Sequence, residues 1–141
     1  MTAPGEVHHA ERLRFQDFTF ERLANGRCRA RVVLSWVDGR QFVGESEGIV
    51  SQAGELRCSA HATVRALERV AQPKVGFEVL GVKAVRAFDA TVVIVSLAAR
   101  VDSTTSRLVG SYLTDKDPPR GAALAVLNAT NRVLGNHVFT R

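Results

Sequence analysis

One pattern of predicted strands, turns and helix occurs twice along this chain of 141 residues. In the first copy, alternating apolar residues predict three strands joined by Asn25-Gly26 and Asp38-Gly39, dipeptides typical of tight hairpin turns. An amphipathic helix follows and ends at Pro73. Three further strands and a second helix come after it. The sequence therefore predicts an α+β fold of two βββα repeats with pseudo-two-fold symmetry, in which helices cover antiparallel sheets.

The boundaries of the fold follow from where this pattern begins and ends. Residues 1–11 are mostly polar and have no hydrophobic period, so we expect them to form a disordered lead. We predict a single duplicated domain over residues 12–141, with repeat one at 12–72 and repeat two at 74–135. No stretch rich in Pro, Gly or Ser separates the repeats, so we expect them to pack against each other.

The strand predicted from Ala90 to Val101 is apolar on both faces. Val93 and Val95 lie on one face, and Val92 and Ile94 lie on the other. A strand of this kind is typically covered on both sides. The second predicted helix also has an apolar arc too wide for one sheet contact. We therefore expect a second surface, from the other repeat or from another molecule of the protein, and we predict a homodimer or other homo-oligomer.

Basic residues outnumber acidic ones, with 19 Lys and Arg against 14 Asp and Glu, and this excess suggests an anionic partner. Arg27, Arg29 and Arg31 alternate with apolar residues on the second predicted strand and so share one face. That basic strand face supports an alternative function, the binding of RNA or DNA. Glu45 and Glu47 lie in the following loop, where a phosphate-binding loop would carry cations, so a solvated arginine face is the competing interpretation.

The chain contains no recognisable motif for catalysis or metal binding. Its four histidines have no Ser, Cys or carboxylate at a motif spacing, and neither Gly-x-Ser-x-Gly nor a phosphate-binding loop motif occurs. We therefore expect no catalytic residues, no metal site, no cofactor and no enzymatic activity.

The compartment follows from segments that the sequence lacks. No apolar stretch reaches the roughly 20 residues that a membrane helix needs, and the first residues lack the apolar core of a signal peptide. We expect a cytoplasmic protein with no membrane partner. In that compartment Cys28 and Cys58 are expected to be reduced thiols.

The second repeat shows a family resemblance. The residues that carry it are Phe88–Val95, Leu108–Ser111, Thr114–Asp117 and Ala122–Leu134. They resemble the C-terminal regulatory domain of 2-isopropylmalate synthase, an allosteric, leucine-binding domain of two three-strand-plus-helix units. The resemblance covers residues 27–135, and most matching residues follow residue 86. Because 141 residues cannot hold the synthase's catalytic barrel as well, the resemblance implies a regulatory role without synthase activity.

A small-molecule site is predicted where the strand-to-helix loops of the two repeats meet. Helix N-termini favour carboxylates, and pseudo-symmetry brings both helix starts into one region. The candidate ligand-binding residues are Gly44, Gly48, Ser51, Gly110, Ser111, Asp115 and Asp117. The resemblance implies an amino acid or another small carboxylate as effector. The competing interpretation is that the glycines end strands and Asp117 caps a helix.

The functional expectation is a non-catalytic regulatory or scaffolding module that self-associates, with a small amino-acid-like carboxylate as candidate effector. The alternative is a nucleic-acid-binding protein that uses Arg27, Arg29 and Arg31.

Overall fold

The computed structural model describes residues 13–71 and 73–134, and within them the predicted α+β fold of two βββα repeats is confirmed. The elements are β1 (Arg14–Arg22), β2 (Arg27–Ser35), β3 (Gln41–Ile49), α1 (Gln52–Ala71), β4 (Val75–Ala87), β5 (Ala90–Val101), β6 (Thr104–Thr114) and α2 (Pro118–Leu134). The lead predicted at residues 1–11 and the predicted end of repeat two at residue 135 lie outside the described residues. No helix in the described part is long and apolar enough to span a membrane.

The two sheets have the same strand order and the same irregularity. The first sheet runs β1-β2-β3 and the second runs β4-β5-β6, and every pairing is antiparallel. Gln16 is skipped in the β1–β2 pairing, and Leu80 is skipped in the β4–β5 pairing. In each sheet the residue just before this bulge pairs with a buried leucine of the central strand, Leu34 or Leu97. The duplication therefore extends to register.

Three-residue loops close the hairpins of the first sheet at the predicted places, between Leu23 and Arg27 and between Trp36 and Arg40. Gly26 and Gly39 have φ angles of 76° and 96°, which glycine adopts without a steric penalty. The β4–β5 turn instead places Phe88 and Asp89 at φ angles of 55° and 60°. Positive φ at both central residues is typical of the turn that matches the twist of a β-hairpin.

A glycine in each third strand brings the helix of that repeat close to its sheet. A Cβ atom on Gly44 would overlap the carbonyl oxygen of Ala62, and one on Gly110 would overlap that of Ala125. The backbones are therefore too close for any larger residue. This contact places α1 on the first sheet and α2 on the second.

The helices also pack on each other, so one apolar core extends across both repeats. Val32 and Leu34 from the first sheet belong to the same buried cluster as Val95 and Leu97 from the second. The hydroxyl of Thr63, on α1, donates to the carbonyl of Ser59 at 2.8 Å, so this buried group is satisfied within its own helix. Because the helices occupy the inner side of each sheet, each sheet's outer face is the side turned away from them.

Candidate functional site

The outer face of the first sheet carries ion pairs. Arg27 and Arg29 lie 3.5 Å and 3.2 Å from the carboxylate of Glu47, and Arg31 lies 3.3 Å from that of Glu45. These pairs form because β2 and β3 place Arg29 opposite Glu47 and Arg31 opposite Glu45. The arginine face that the sequence offered for nucleic acid is thus accompanied by carboxylates, which reduce its attraction for phosphate.

The outer face of the second sheet carries apolar side chains at the matching positions. We define the apolar face as Val85, Val92, Ile94, Val109 and Leu113. Val85 and Leu113 flank Val92 across the strands, and Val109 lies on the same side of β6. The exposed fractions of Val85, Ile94, Val109 and Leu113 are 39%, 36%, 64% and 59%. Single exposed apolar residues are ordinary, whereas a contiguous apolar patch is typical of interaction surfaces. The exposed Lys83 lies beside Ile94 on the same face.

Phe88 is a large exposed apolar residue at the β4–β5 turn. Its side chain is 97% exposed, and its φ of 55° is unfavourable for a bulky residue. Asn-Gly or Asp-Gly would adopt this turn with less strain. Phe88 therefore combines backbone strain with full exposure of its ring, a combination that packing within the chain does not explain.

Two residues of the predicted ligand site cap the helices. The Ser51 hydroxyl accepts a hydrogen bond from the Gly54 N–H at 2.9 Å at the start of α1. The Asp117 carboxylate accepts one from the Arg120 N–H at 3.2 Å at the start of α2. This agrees with the competing interpretation of Asp117 as an N-cap.

The other predicted ligand-binding residues lie in several environments. Gly44 and Gly110 are buried against the helices, and Gly48 faces the backbone of Gly54 and the side chain of Cys58. The Ser111 carbonyl accepts a hydrogen bond from the Asn128 side chain at 2.7 Å, and Asp115 is exposed. The structure does not gather these residues into one site, and ligand binding by them stays a prediction.

A pocket of about 380 Å³ does lie between the two helix starts. It is lined by Phe20, Arg22, Gln52, Glu55, Leu56, Lys116, Asp117, Pro118 and Pro119. Arg22 binds Glu55 with two hydrogen bonds, of 2.9 Å and 3.0 Å, and this contact raises the pKa of the Arg22 guanidinium. Of the predicted ligand-binding residues, only Asp117 lines this pocket. At α2, Pro118 and Pro119 offer no N–H to a ligand.

Sequence reasoning missed Phe20 and Arg22 as lining residues. Both come from β1, whereas Glu55 belongs to α1, 33 residues after Arg22. No local spacing could have indicated the contact. The exposed arginine at the end of β1 was the one available signal.

Cys28 and Cys58 are free, buried thiols that lie close together. The Cys58 thiol donates to the Ser46 carbonyl at 3.1 Å. Burial, and then the proximity of Cys28, raises the pKa of Cys58 to about 12. Because the thiolate is the reactive form, Cys58 is a poor nucleophile near neutral pH.

The titratable groups of the described residues do not form a recognisable metal cluster. No group of three or more His, Cys, Asp or Glu residues within 13–71 and 73–134 is arranged to hold a metal ion. His61 is half-buried on α1, where burial and then the charges of Arg65 and Arg57 lower its pKa.

The comparisons with known proteins identify no family. No family model matches the chain, and a search of curated proteins finds no matching relative. The resemblance to the regulatory domain of 2-isopropylmalate synthase therefore stays a prediction, and the functional proposal depends on the surfaces described above.

Proposed function

We propose that this protein is a non-catalytic regulatory or scaffolding module that forms a homodimer through the apolar face. The observation that carries the proposal is the contrast between equivalent rows of the two sheets. Where the first sheet has Glu21, Arg29 and Glu47 in one cross-strand row, the second has Val85, Val92 and Leu113. The two sheets have the same strand order and register although one row is charged and the other is apolar. Folding of the single chain therefore does not require these exposed apolar residues.

Burial against a second molecule would remove this apolar surface from water. Apolar area contributes about 25 cal/mol per Å² when it is buried, before the cost of association is subtracted. A second molecule of the same chain offers an identical apolar surface at equal concentration, and closed two-fold dimers are the commonest assemblies of soluble proteins. The arginine and glutamate pairs on the first sheet would instead have to be desolvated, which makes that face a poorer candidate.

The test transfers the charged row of the first sheet to the second. The double variant Val92→Arg/Leu113→Glu places opposite charges across β5 and β6, as Arg29 and Glu47 lie across β2 and β3. We expect wild-type protein at tens of micromolar to have the mass of a dimer by light scattering, and the variant to have the mass of a monomer with an unchanged circular dichroism spectrum.

The matched control is Thr19→Glu, which adds a charge to an exposed position on the outer face of the first sheet. It should leave the dimer intact. A monomeric wild type, or a double variant that remains dimeric, contradicts the proposal.

The pocket between the helix starts supports a second role, the binding of a small amino-acid-like carboxylate. Lys116 supplies positive charge at its wall, where Arg22 is already paired with Glu55, and Phe20 and Leu56 supply apolar contacts. This ligand class comes from the family resemblance. A ligand at ten times its Kd should stabilise the protein by about 1.4 kcal/mol, which corresponds to a rise in Tm of roughly 3–6 °C.

A thermal-shift series with the twenty amino acids tests this role. We expect Lys116→Gln to reduce the shift and Lys74→Gln, an exposed control at the other end of α1, to retain it. If no amino acid at 10 mM raises the Tm, this role is withdrawn while the dimer proposal stands.

A further inference from the structure

We propose that the two molecules of the dimer pack their second sheets face to face around a two-fold axis parallel to β5, so that Glu78 of each molecule pairs with Arg107 of the other. This arrangement rests on the proposed self-association and specifies its geometry. It follows from the positions of charge, bulk and empty space on the outer face of the second sheet.

The strand register places Glu78 and Arg107 at opposite edges of that face. Ala98 on β5 pairs with Glu78 on β4 and with Arg107 on β6. Residues that pair across antiparallel strands share a face, so both charged side chains lie on the outer face with Ala98 between them. Both side chains are exposed.

A row is the set of residues that pair across β4, β5 and β6. An axis parallel to β5 places β4 of one molecule over β6 of the other, and it places each row over the same row of the second molecule. In a two-fold interface, if residue i of one molecule meets residue j of the other, then j also meets i. Glu78 then lies over Arg107 of the second molecule, and Arg107 lies over Glu78. The same operation places Val85 over Leu113 twice. Opposite charges meet at the row of Ala98 and apolar side chains meet at the row of Val92. One row beyond Ala98, the two exposed Arg100 side chains lie opposite each other across the axis, a repulsion that the Glu78–Arg107 pairs must offset.

The shape of the face fits the same arrangement at its middle row. Ser96 pairs with Gly81 on β4 and with Val109 on β6. A Cβ atom built on Gly81 would meet nothing within 4 Å, so the surface there is open. Val109 is the most exposed member of the apolar face. The axis places Val109 of each molecule over Gly81 of the other, where a projecting side chain meets a depression.

An axis across the strands would fit the face poorly. It would place β4 over β4 and reverse the order of rows, so that Glu78 meets Val85 and Arg107 meets Leu113. Four charged side chains would then be buried against apolar ones without partners, which is costly. If the axis instead crossed at the row of Ile94, the two Lys83 side chains would face each other.

The size of the face is at the lower end of what a specific dimer uses. A three-stranded face that is 11 residues long measures roughly 36 Å by 14 Å. That is about 500 Å² in projection, before the relief of the side chains is counted, against the roughly 800 Å² per partner of a standard interface. Packed sheets rotate by about 30° relative to each other, and the long Glu78 and Arg107 side chains can follow that rotation.

Charge-reversal variants test the proposed orientation of the two molecules independently of whether the protein dimerises. The variants Glu78→Arg and Arg107→Glu each place like charges together at both contacts, and we expect each to weaken the dimer about tenfold or more in sedimentation equilibrium. The double variant Glu78→Arg/Arg107→Glu restores opposite charges and should return the Kd to within about threefold of wild type. Mixing the two single variants should give heterodimers tighter than either homodimer, because each contact then joins opposite charges.

The control for these variants is Arg14→Glu, at the position of the first sheet equivalent to Glu78. It should leave the Kd unchanged, and circular dichroism should show every variant folded. If wild type dimerises but the single variants do not weaken the dimer, or the double variant and the mixture do not recover it, the arrangement is overturned while self-association stands. If wild type is monomeric throughout the concentration range, the proposed self-association fails as well.

Discussion

The outer faces of the two sheets differ far more than the backbones that carry them. On the first sheet, Arg29 lies between Glu21 and Glu47, and on the second, Val92 lies between Val85 and Leu113. Strand order, bulge position and the close glycine contact with the helix are the same in both. Charged and apolar rows are therefore equally compatible with this backbone. The repeats differ on their outer faces, which are available to a partner. We therefore expect the functional difference between the repeats to lie on the outer faces.

The inner sides of the sheets differ in a compensating way. In the first repeat the strand residue is Gly48, and its absent side chain leaves room for Cys58 of α1. In the second repeat the helix residue is Gly121, and its absent side chain leaves room for Thr114 of β6. The glycine lies on the strand in the first repeat and on the helix in the second, while the combined side-chain volume at this strand–helix contact stays similar. Tight packing thus constrains the inner faces, whereas most side chains on the outer faces are exposed or half-buried, with Val33 and Ser35 as buried exceptions.

The largest effect should come from the feature that both repeats share. We expect Gly44→Ala and Gly110→Ala each to lower the free energy of unfolding by about 3 kcal/mol or more, because the added Cβ overlaps helix backbone that cannot yield cheaply. Gly76→Ala is the control, since its Cβ would meet only the end of the Arg100 side chain at 3.5 Å. Urea denaturation measures all three, and a tolerated alanine at either of the first two positions would break the equivalence of the repeats.

A smaller effect should distinguish the repeats through Cys58. Its pKa is about 12 in the folded protein against an ordinary 9.0, so the folded state keeps the proton that the unfolded state loses first. Stability from this thiol is intact below pH 9 and falls as the pH rises from 9 towards 12, by at most about 1.4 kcal/mol per pH unit. The equivalent contact in the second repeat joins Thr114 and Gly121, which do not titrate.

The measurement is the Tm between pH 7 and 11 for wild type and Cys58→Ala. The variant should lose less stability than wild type above pH 9, because it lacks the titrating thiol. If the Tm of wild type and of Cys58→Ala falls equally with pH, ionisation of Cys58 does not account for the alkaline loss of stability, and this contact does not distinguish the repeats.

The smallest effect on stability should come from exchanging the exposed rows in the reverse direction. Arg29→Val/Glu47→Leu removes the ion pairs of Glu47 with Arg29 and Arg27, all partly exposed side chains, so the free energy of unfolding should change by only about 1 kcal/mol. The same variant gains a second apolar row, and light scattering should detect species larger than the dimer. An unchanged mass would mean that an apolar row does not by itself promote association on this backbone.

The repeated architecture was predictable from sequence because its signals are local. Asn25-Gly26 and Asp38-Gly39 mark hairpins wherever they occur between strands, and the apolar residues on both faces of β5 were visible as an alternating pattern. The pairing of Arg29 with Glu47 was not predictable, because it depends on the register between β2 and β3. The bulges at Gln16 and Leu80 decide which side chains of β1 and β4 face outward, and no sequence signal marks them.

The candidate sites show the same limit. Val92 and Ile94 were identified as an apolar strand face, but the rows that complete the apolar face come from β4 and β6 through pairing. The helix starts were expected to meet, and a pocket does lie between them. Its β1 wall, Phe20 and Arg22, depends on how the two repeats pack, which local spacing does not encode.

The most direct test of the central claim is a dilution series followed by methyl NMR, from several hundred micromolar to a few micromolar. If the protein dimerises through the outer face of the second sheet, the methyl signals of Val92, Ile94, Val109 and Leu113 should shift together with concentration. Those of Val33 and Val43, on the outer face of the first sheet, should stay constant. Shifts confined to Val33 and Val43, or signals that do not change at any concentration, would contradict the account.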